Sequence, residues 1–310
     1  MDADQLAALR ERDEFFWLDL SDPSHDELER AAELLSLHPL ALEDTREWGQ
    51  RPKLDEYQDH LLLVFFTARR DDGPGPELVE PVEVHVYVSG GFVFTVSRGE
   101  TPVLGNLHHT LVPEDTKDED FLVYKILDGL ADAFEGIIEH VETRIDALEG
   151  RVLVRPMPDQ LEAIYRLRQD VGRMHRVVHA QRVAVDRAGD ALAILPGLTR
   201  GAKPYLRDVA DHMERTDSEL LRQLSDLSSL SDTFFSANAN RVNTNAARLT
   251  VAATFFLVWT LVTSFFGQNF KHLVDSVDSK TDFLVYGVGG LVVPTFVLAV
   301  FFWVKRDQWL

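Results

Sequence analysis

Between Asn243 and Gly267 the chain repeats small and polar side chains at intervals of three and four. Asn243, Ala246, Ala247, Thr250, Ala253, Thr254, Leu257, Thr260, Ser264 and Gly267 fall on one helical face, and all but Leu257 are small or polar. Phe255, Phe256, Val258, Trp259, Val262, Phe265 and Phe266 take the other side. A face of hydroxyls and methyls can serve two ends. It lets helix backbones approach closely and bond across, or it lines a water-filled pore. A pore needs a symmetric ring of subunits, because a protomer with two spans cannot enclose one. Each residue then becomes a girdle: Asn243 of amides, Thr250 and Thr260 of hydroxyls, Leu257 of isobutyl groups that close the path by dewetting. Neutral oxygens suit a cation that keeps much of its water, and magnesium sheds its water reluctantly.

Other groups are weaker candidates. His175 and His179 stand four apart, the spacing of a two-histidine metal site on a helix. No glutamate completes an HExxH pattern and arginines surround the pair, so a solvated helix face is expected. Asp208, Asp211 and His212 form a compact acidic group, for which a solvated face is again the ordinary outcome. There is no cysteine, which removes disulfides, thiolate zinc sites, iron–sulfur ligation and a cysteine nucleophile. No phosphate-binding glycine loop, Ser-His-Asp set or paired-carboxylate site can be singled out, so the chain does not read as an enzyme.

The elements that must carry the polar face are two long uncharged runs. Leu249 to Phe266 is 18 residues and Phe283 to Val304 is 22, long enough or nearly so to cross a bilayer as helices. Arg241 and Arg248 precede the first run, and Lys305 and Arg306 follow the second. The positive-inside rule puts both chain ends in the cytoplasm and the connection 267–282 outside. The net charge is −20, from 31 basic and 51 acidic residues, and almost all of it precedes Ala246. So acidic a body argues against nucleic acid as a partner and fits attraction of cations.

Residues 1–112 read as a mixed α/β domain. Strands are expected at Phe15–Leu20 and His60–Ala68, with a hairpin of Val82–Val88 and Phe92–Val96. Ser24 and Glu27 are spaced as a capping box, and Pro39 and Pro102 open further helices. Asp71 to Pro76 reads as a Gly/Pro loop. Residues 113–204 form long helices, Asp118–Val154 and Asp159–Leu195, broken at Arg155-Pro156-Met157-Pro158 and ended by Pro196-Gly197. From Tyr205 to Phe266 there is neither proline nor glycine, which reads as one helix: a stalk over 205–248 that continues into the first span, 249–266. Its apolar positions Leu206, Val209, Met213, Leu220, Leu224, Leu227, Leu230 and Phe234 suit packing against other helices. The second span is 283–304, and 305–310 is a basic tail.

Phe266-Gly267-Gln268-Asn269-Phe270 closes the first span, and Lys305-Arg306-Asp307-Gln308-Trp309-Leu310 closes the chain. Together with the Asn243-to-Thr250 approach, the stalk run Arg207-Asp208-Val209-Ala210-Asp211-His212, and the upstream His38-Pro39-Leu40-Ala41-Leu42-Glu43-Asp44 and Arg51-Pro52-Lys53-Leu54, this order resembles the CorA family of magnesium transporters. The likeness covers almost the whole chain. There are departures. Gln268 replaces the methionine of the family's Gly-Met-Asn motif, Lys271 stands where a loop acid is common, Val258 replaces a frequent proline, and Ala246 replaces a bulky apolar residue.

The resemblance implies an α+β cytoplasmic domain, a long-helix stalk and two transmembrane helices per protomer, in a funnel-shaped homopentamer of the cell inner membrane. It implies a divalent-cation channel, for Mg2+ first, gated by cytoplasmic divalent cations. Asn243, Thr250, Thr260, Gly267, Gln268 and Asn269 would line the path or its mouth, and Leu249 and Leu257 would form the hydrophobic constriction. Asp208, with Glu100 as the facing acid, would hold the regulatory metal. Lys305 and Arg306 are topology anchors that a pentamer would gather into a basic collar. The alternatives are a ZntB-like transporter of Zn2+, or of Co2+ or Ni2+, and a membrane assembly or sensor that does not conduct.

Overall fold

The computed structural model describes residues 15–70, 79–99, 101–111, 119–195, 201–268, 271 and 279–305. The expected loop at 71–76, the break at Pro196-Gly197, and Glu100, Asn269 and Arg306 lie outside them. Contacts divide the chain into two units, 1–231 and 232–310.

In the first unit, strands β1 (Phe16–Ser21), β2 (Lys53–Glu56), β3 (Leu61–Arg70), β4 (Val79–Ser89) and β5 (Phe92–Ser97) form one sheet in the order β1-β5-β4-β3-β2. The hairpin β4–β5 and the strand at β3 arise where the alternating apolar runs predict them. Two features were not expected: the short edge strand β2, and the parallel pairing of β1 with β5. β1 precedes β5 by a long stretch of chain, so that pairing is decided by where the sheet has a free edge.

Helices α1 (His25–Leu35) and α2 (Pro39–Glu47) cover one face of the sheet. Ser24 caps α1 by accepting from the Glu27 N–H while Glu27 accepts from Ser24, the reciprocal capping box. Pro39 occupies the first turn of α2, where its missing N–H costs nothing. Phe16, Leu18, Leu28, Leu35, Leu62, Val64, Tyr87 and Phe94 meet in the core beneath these helices. A buried polar ladder crosses it. Thr45 lies 2.7 Å from His85 Nδ1 and 2.6 Å from Tyr87 Oη, and His85 Nε2 lies 2.7 Å from Glu83. Glu83 also accepts from the Gly49 and Gln50 N–H groups, where Trp48 and Gly49 carry positive φ. Burial of a tyrosine in that ladder pushes its phenol pKa well up.

Helices α3 (Pro102–Thr110), α4 (Glu119–Val154) and α5 (Pro158–Leu192) follow, and α4 and α5 pack on β3. Gln181 of α5 accepts from the Phe66 N–H at 2.9 Å, beyond the end of β2, where that edge group has no strand partner. The single helix expected from Tyr205 is present as α6 (Ala202–Phe266), 65 residues. Its first part buries Leu206, Val209, Met213, Leu220, Leu227 and Leu230. Leu224 is only half-buried and its neighbour Gln223 is fully buried instead, donating from Nε2 to the Ile138 carbonyl at 2.9 Å.

The second unit holds the rest of α6 and the second apolar run. That run begins as α7 (Lys280–Asp282), continues as a π-helical stretch (Phe283–Val288), and completes as α8 (Gly289–Val304). Two helices, over Lys203–Phe266 and Lys280–Val304, are long and apolar enough to cross a membrane, and neither apolar stretch is buried.

Candidate functional site

The first span presents two distinct faces. Val251, Thr254, Phe255, Val258 and Val262 are partly covered, and the contacts that cover this side come from the second span. Phe255 meets Phe302, Trp259 Nε1 donates to Thr295 Oγ1 at 2.7 Å, and Gly290 stands against Val262 and Phe266. Asn243, Ala246, Leu249, Thr250, Ala253, Leu257, Thr260, Ser264, Gly267 and Gln268 are exposed. At 3.6 residues per turn this stripe is centred about 140° around the helix from the covered side. Leu249 and Leu257 stay 71% and 70% exposed, so the chain's own second span does not seal them. Among the described residues the polar face therefore does not serve packing within the protomer. Ala247 and Thr254 depart from the rest of that face: both are half-covered, whereas the other residues of the stripe are exposed.

The hydroxyls have a common geometry. Thr250 donates to the Ala246 carbonyl at 2.9 Å, Thr254 to Thr250 at 2.8 Å, Thr260 to Phe256 at 2.7 Å and Thr263 to Trp259 at 2.8 Å. Each proton is spent on the helix, which leaves an acceptor oxygen outward. A hydrated cation presents the hydrogens of its water shell, so acceptors without fixed charge are the complementary lining. No Asp, Glu, Lys or Arg lies between Arg248 and Lys271. Lys305 is exposed just past α8, and its amide donates to the Phe301 carbonyl at 3.0 Å.

In the first unit Asp208 does not stand on a bare stalk face. Tyr124 of α4 donates to its carboxylate at 3.2 Å. One turn on, His212 is buried against α4, with Nδ1 3.3 Å from Asp132 and 3.9 Å from Asp128, and Nε2 3.0 Å from Glu135. The expected solvated group is thus divided. Asp208 and His212 face α4, whereas Asp211 is exposed beside Arg182 and Arg207. The ligand atoms of Asp128, Asp132 and His212 all lie within 4.8 Å of one another. Desolvation and the neighbouring Asp128 and Asp208 push the Tyr124 phenol up to about 12, and desolvation followed by Asp128 raises the Asp132 carboxyl. Carboxylates crowded at such spacing repel until a cation joins them, and their hard oxygens suit Mg2+. Tyr124, Asp128, Asp132 and Glu135 escape a search for local clusters, yet their spacing of four, four and three marks one polar stripe along α4.

His175 and His179 are also corrected. They do not form a simple solvated face, because Asp217 of α6 stands 3.2 Å from His175 Nε2 and 3.0 Å from His179 Nδ1.

Comparison with known proteins agrees with this architecture. The profile of the family described as CorA-like Mg2+ transporter protein matches residues 12–306. The cobalt/magnesium transport protein CorA of Thermotoga maritima is 24% identical over the whole of this chain and 87% of its own length. The zinc transport protein ZntB of Yersinia pseudotuberculosis is 23% identical over 90% of this chain and 84% of its own. The complete structure of the CorA magnesium transporter from Methanocaldococcus jannaschii superposes with a TM-score of 0.80 at 20% identity, covering 95% of this chain and 91% of that one. The fold is the one that structure has, and with a profile match over nearly its full length this chain belongs to the CorA-like Mg2+ transporter family.

Proposed function

We propose that the chain assembles as a homopentamer in the cell inner membrane, both termini cytoplasmic, and forms a passive channel for divalent cations, Mg2+ first. The observation that carries this is the open stripe of acceptor oxygens on the first span, turned away from the second span. Polar side chains in a bilayer face a bundle interior or a watery cavity, and within one protomer neither exists for this stripe. A ring of copies supplies it. Asn243, Thr250 and Thr260 then line the path, Gly267, Gln268 and Asn269 its outer mouth, and Leu249 and Leu257 its dry constriction. Lys305 and Arg306 gather into the basic collar.

Gating follows from charge. Asp208, with Asp128, Asp132 and His212, takes a cytoplasmic divalent cation that neighbouring subunits share, and Glu100 is the facing acid carried over from the resemblance. Bound cations hold acidic bodies together. Five bodies before Ala246 carry about −105, and losing the bridging cations lets that charge push the ring open.

A zinc-selective transporter is the second reading. It is favoured by the relative named as a zinc transport protein, while Gln268 and Lys271 mark where this chain departs from the motif of the magnesium transporters. Flux into proteoliposomes decides. Mg2+ uptake that Asn269→Ala impairs is the expected result. Uptake of Zn2+ alone moves the assignment to the second reading. Well-folded pentamers that pass neither ion identify a non-conducting assembly.

A further inference from the structure

Away from the proposed path, α5 and α6 bring together a donor set of different chemistry. His175 and His179 sit on successive turns of α5, their ring centroids 5.9 Å apart, and Asp217 faces both from α6. One ligand atom from each lies within 4.8 Å of the other two. Asp217 is 8% exposed, while the His179 side chain is 54% exposed. His175 Nε2 and Asp217 Oδ1 are both buried, at ion-pair distance from each other (3.2 Å) and with no other partner among the described residues. An acceptor and a ring nitrogen left in this state are costly to bury.

We propose that His175, His179 and Asp217 bind a transition-metal dication, Zn2+ or Co2+, which clips α5 to α6. Ligand atoms on a tetrahedral ion at bonds of 2.0–2.2 Å stand about 3.4 Å apart. The observed 3.2 Å runs from His175 Nε2 to Asp217 Oδ1 and the 3.0 Å from His179 Nδ1 to Asp217 Oδ2, and with the three ligand atoms within 4.8 Å of one another, closing on one ion takes shifts of up to about 1.4 Å between them. The ion uses the buried atoms that make no other bond, and the exposed His179 side gives it a way in and water for a fourth ligand. Two imidazoles and one carboxylate favour Zn2+, Co2+ or Ni2+ over Mg2+. The preference is thus opposite to that of the carboxylate-rich group around Asp208. The net charge of −20 favours any cation near the body and offsets the arginines along α5. The site does not depend on transport and stands even if the protein passes no ion.

The test uses the full chain in detergent, stripped of metal with a chelator and held in excess Mg2+ to occupy oxygen-ligand sites. Titration with Co2+ is expected to give the visible absorption of a nitrogen-coordinated tetrahedral ion at one per chain, removed by Zn2+. His175→Ala, His179→Gln and Asp217→Asn are each expected to lose that band and weaken binding about tenfold or more, since loss even of outer partners costs 10–100-fold. His179→Gln lies at the exposed edge and keeps the fold, with unchanged circular dichroism as its check, so the result does not hinge on the buried variants. Absence of the band in the unaltered protein, or an unchanged affinity in His179→Gln, overturns the proposal and leaves two histidine–aspartate ion pairs only.

Discussion

Thr260→Val separates a conducting face from a packing face. The substitution exchanges a hydroxyl for a methyl at nearly constant volume. Thr260 donates its proton to the Phe256 carbonyl at 2.7 Å, and its side chain is exposed on the side opposite the second span. That carbonyl keeps its place in the helix ladder, so the cost to folding is within about 0.5 kcal/mol. In a ring, however, five acceptor oxygens disappear together. A hydrated cation that touches two of them at a time loses about 1–3 kcal/mol, which slows flux about 5- to 150-fold. Thr263→Val is the matched control. Its hydroxyl bonds the Trp259 carbonyl at 2.8 Å in the same manner, but it lines the groove with Leu291, Thr295 and Ala299 of the second span. Its flux is expected to stay within about twofold of the parent. The assay is Mg2+ entry into proteoliposomes reporting to an entrapped dye, at equal protein density. Equal losses in both variants, or a loss confined to Thr263→Val, would refute the assignment of the open stripe as the conduit.

Gln223 tests the stalk. Its Nε2 bonds the Ile138 carbonyl, but its Oε1 is buried with no partner among the described residues, so Gln223→Leu trades a bond of about 1 kcal/mol for relief of a similar penalty and leaves thermal stability nearly unchanged. Gln223→Glu places an unpaired carboxylate there and is expected to cost about 3 kcal/mol or more at neutral pH, with the melting temperature in detergent as readout. Trp259→Phe removes the donor to Thr295 between the two spans, and a thermal scan should show a loss of about 0.6 kcal/mol without a change in flux. His60 and His108 have pKa values lowered chiefly by burial. Their neutral forms are therefore favoured in the folded state. The stability they contribute is full above pH 6.5, the unfolded value, and is lost as pH falls through the lower folded values. Acid unfolding followed by tryptophan emission, with His108 stacked 3.7 Å from Trp17, should begin below pH 6.5, and His108→Gln should shift that onset downward.

Much of this was legible in one dimension because it depends on local periodicity. The capping box at Ser24, the proline-opened helices, the β4–β5 hairpin, the unbroken helix into the first span and the two apolar runs are each written in residues near one another in sequence. The open polar stripe is likewise a three-and-four spacing. Its use was not legible, because small residues line pores and helix contacts alike. The position of the second span, set by Phe255 against Phe302, Trp259 against Thr295 and Gly290 against Val262, removes one of the two, packing within the protomer.

The sequence by itself determined an acidic α/β body, long helices, and two apolar spans of which the first carries a polar face, since composition and helical period follow from neighbouring side chains alone. Only the tertiary structure decided which charges meet. Asp128 and Asp132 reach His212 across about 80 residues of chain, and Asp217 reaches His175 and His179 across about 40. Such pairings depend on the rotation and register of one long helix against another. A change of one residue in either helix turns a side chain by about 100° and separates the groups, and no local pattern records that choice.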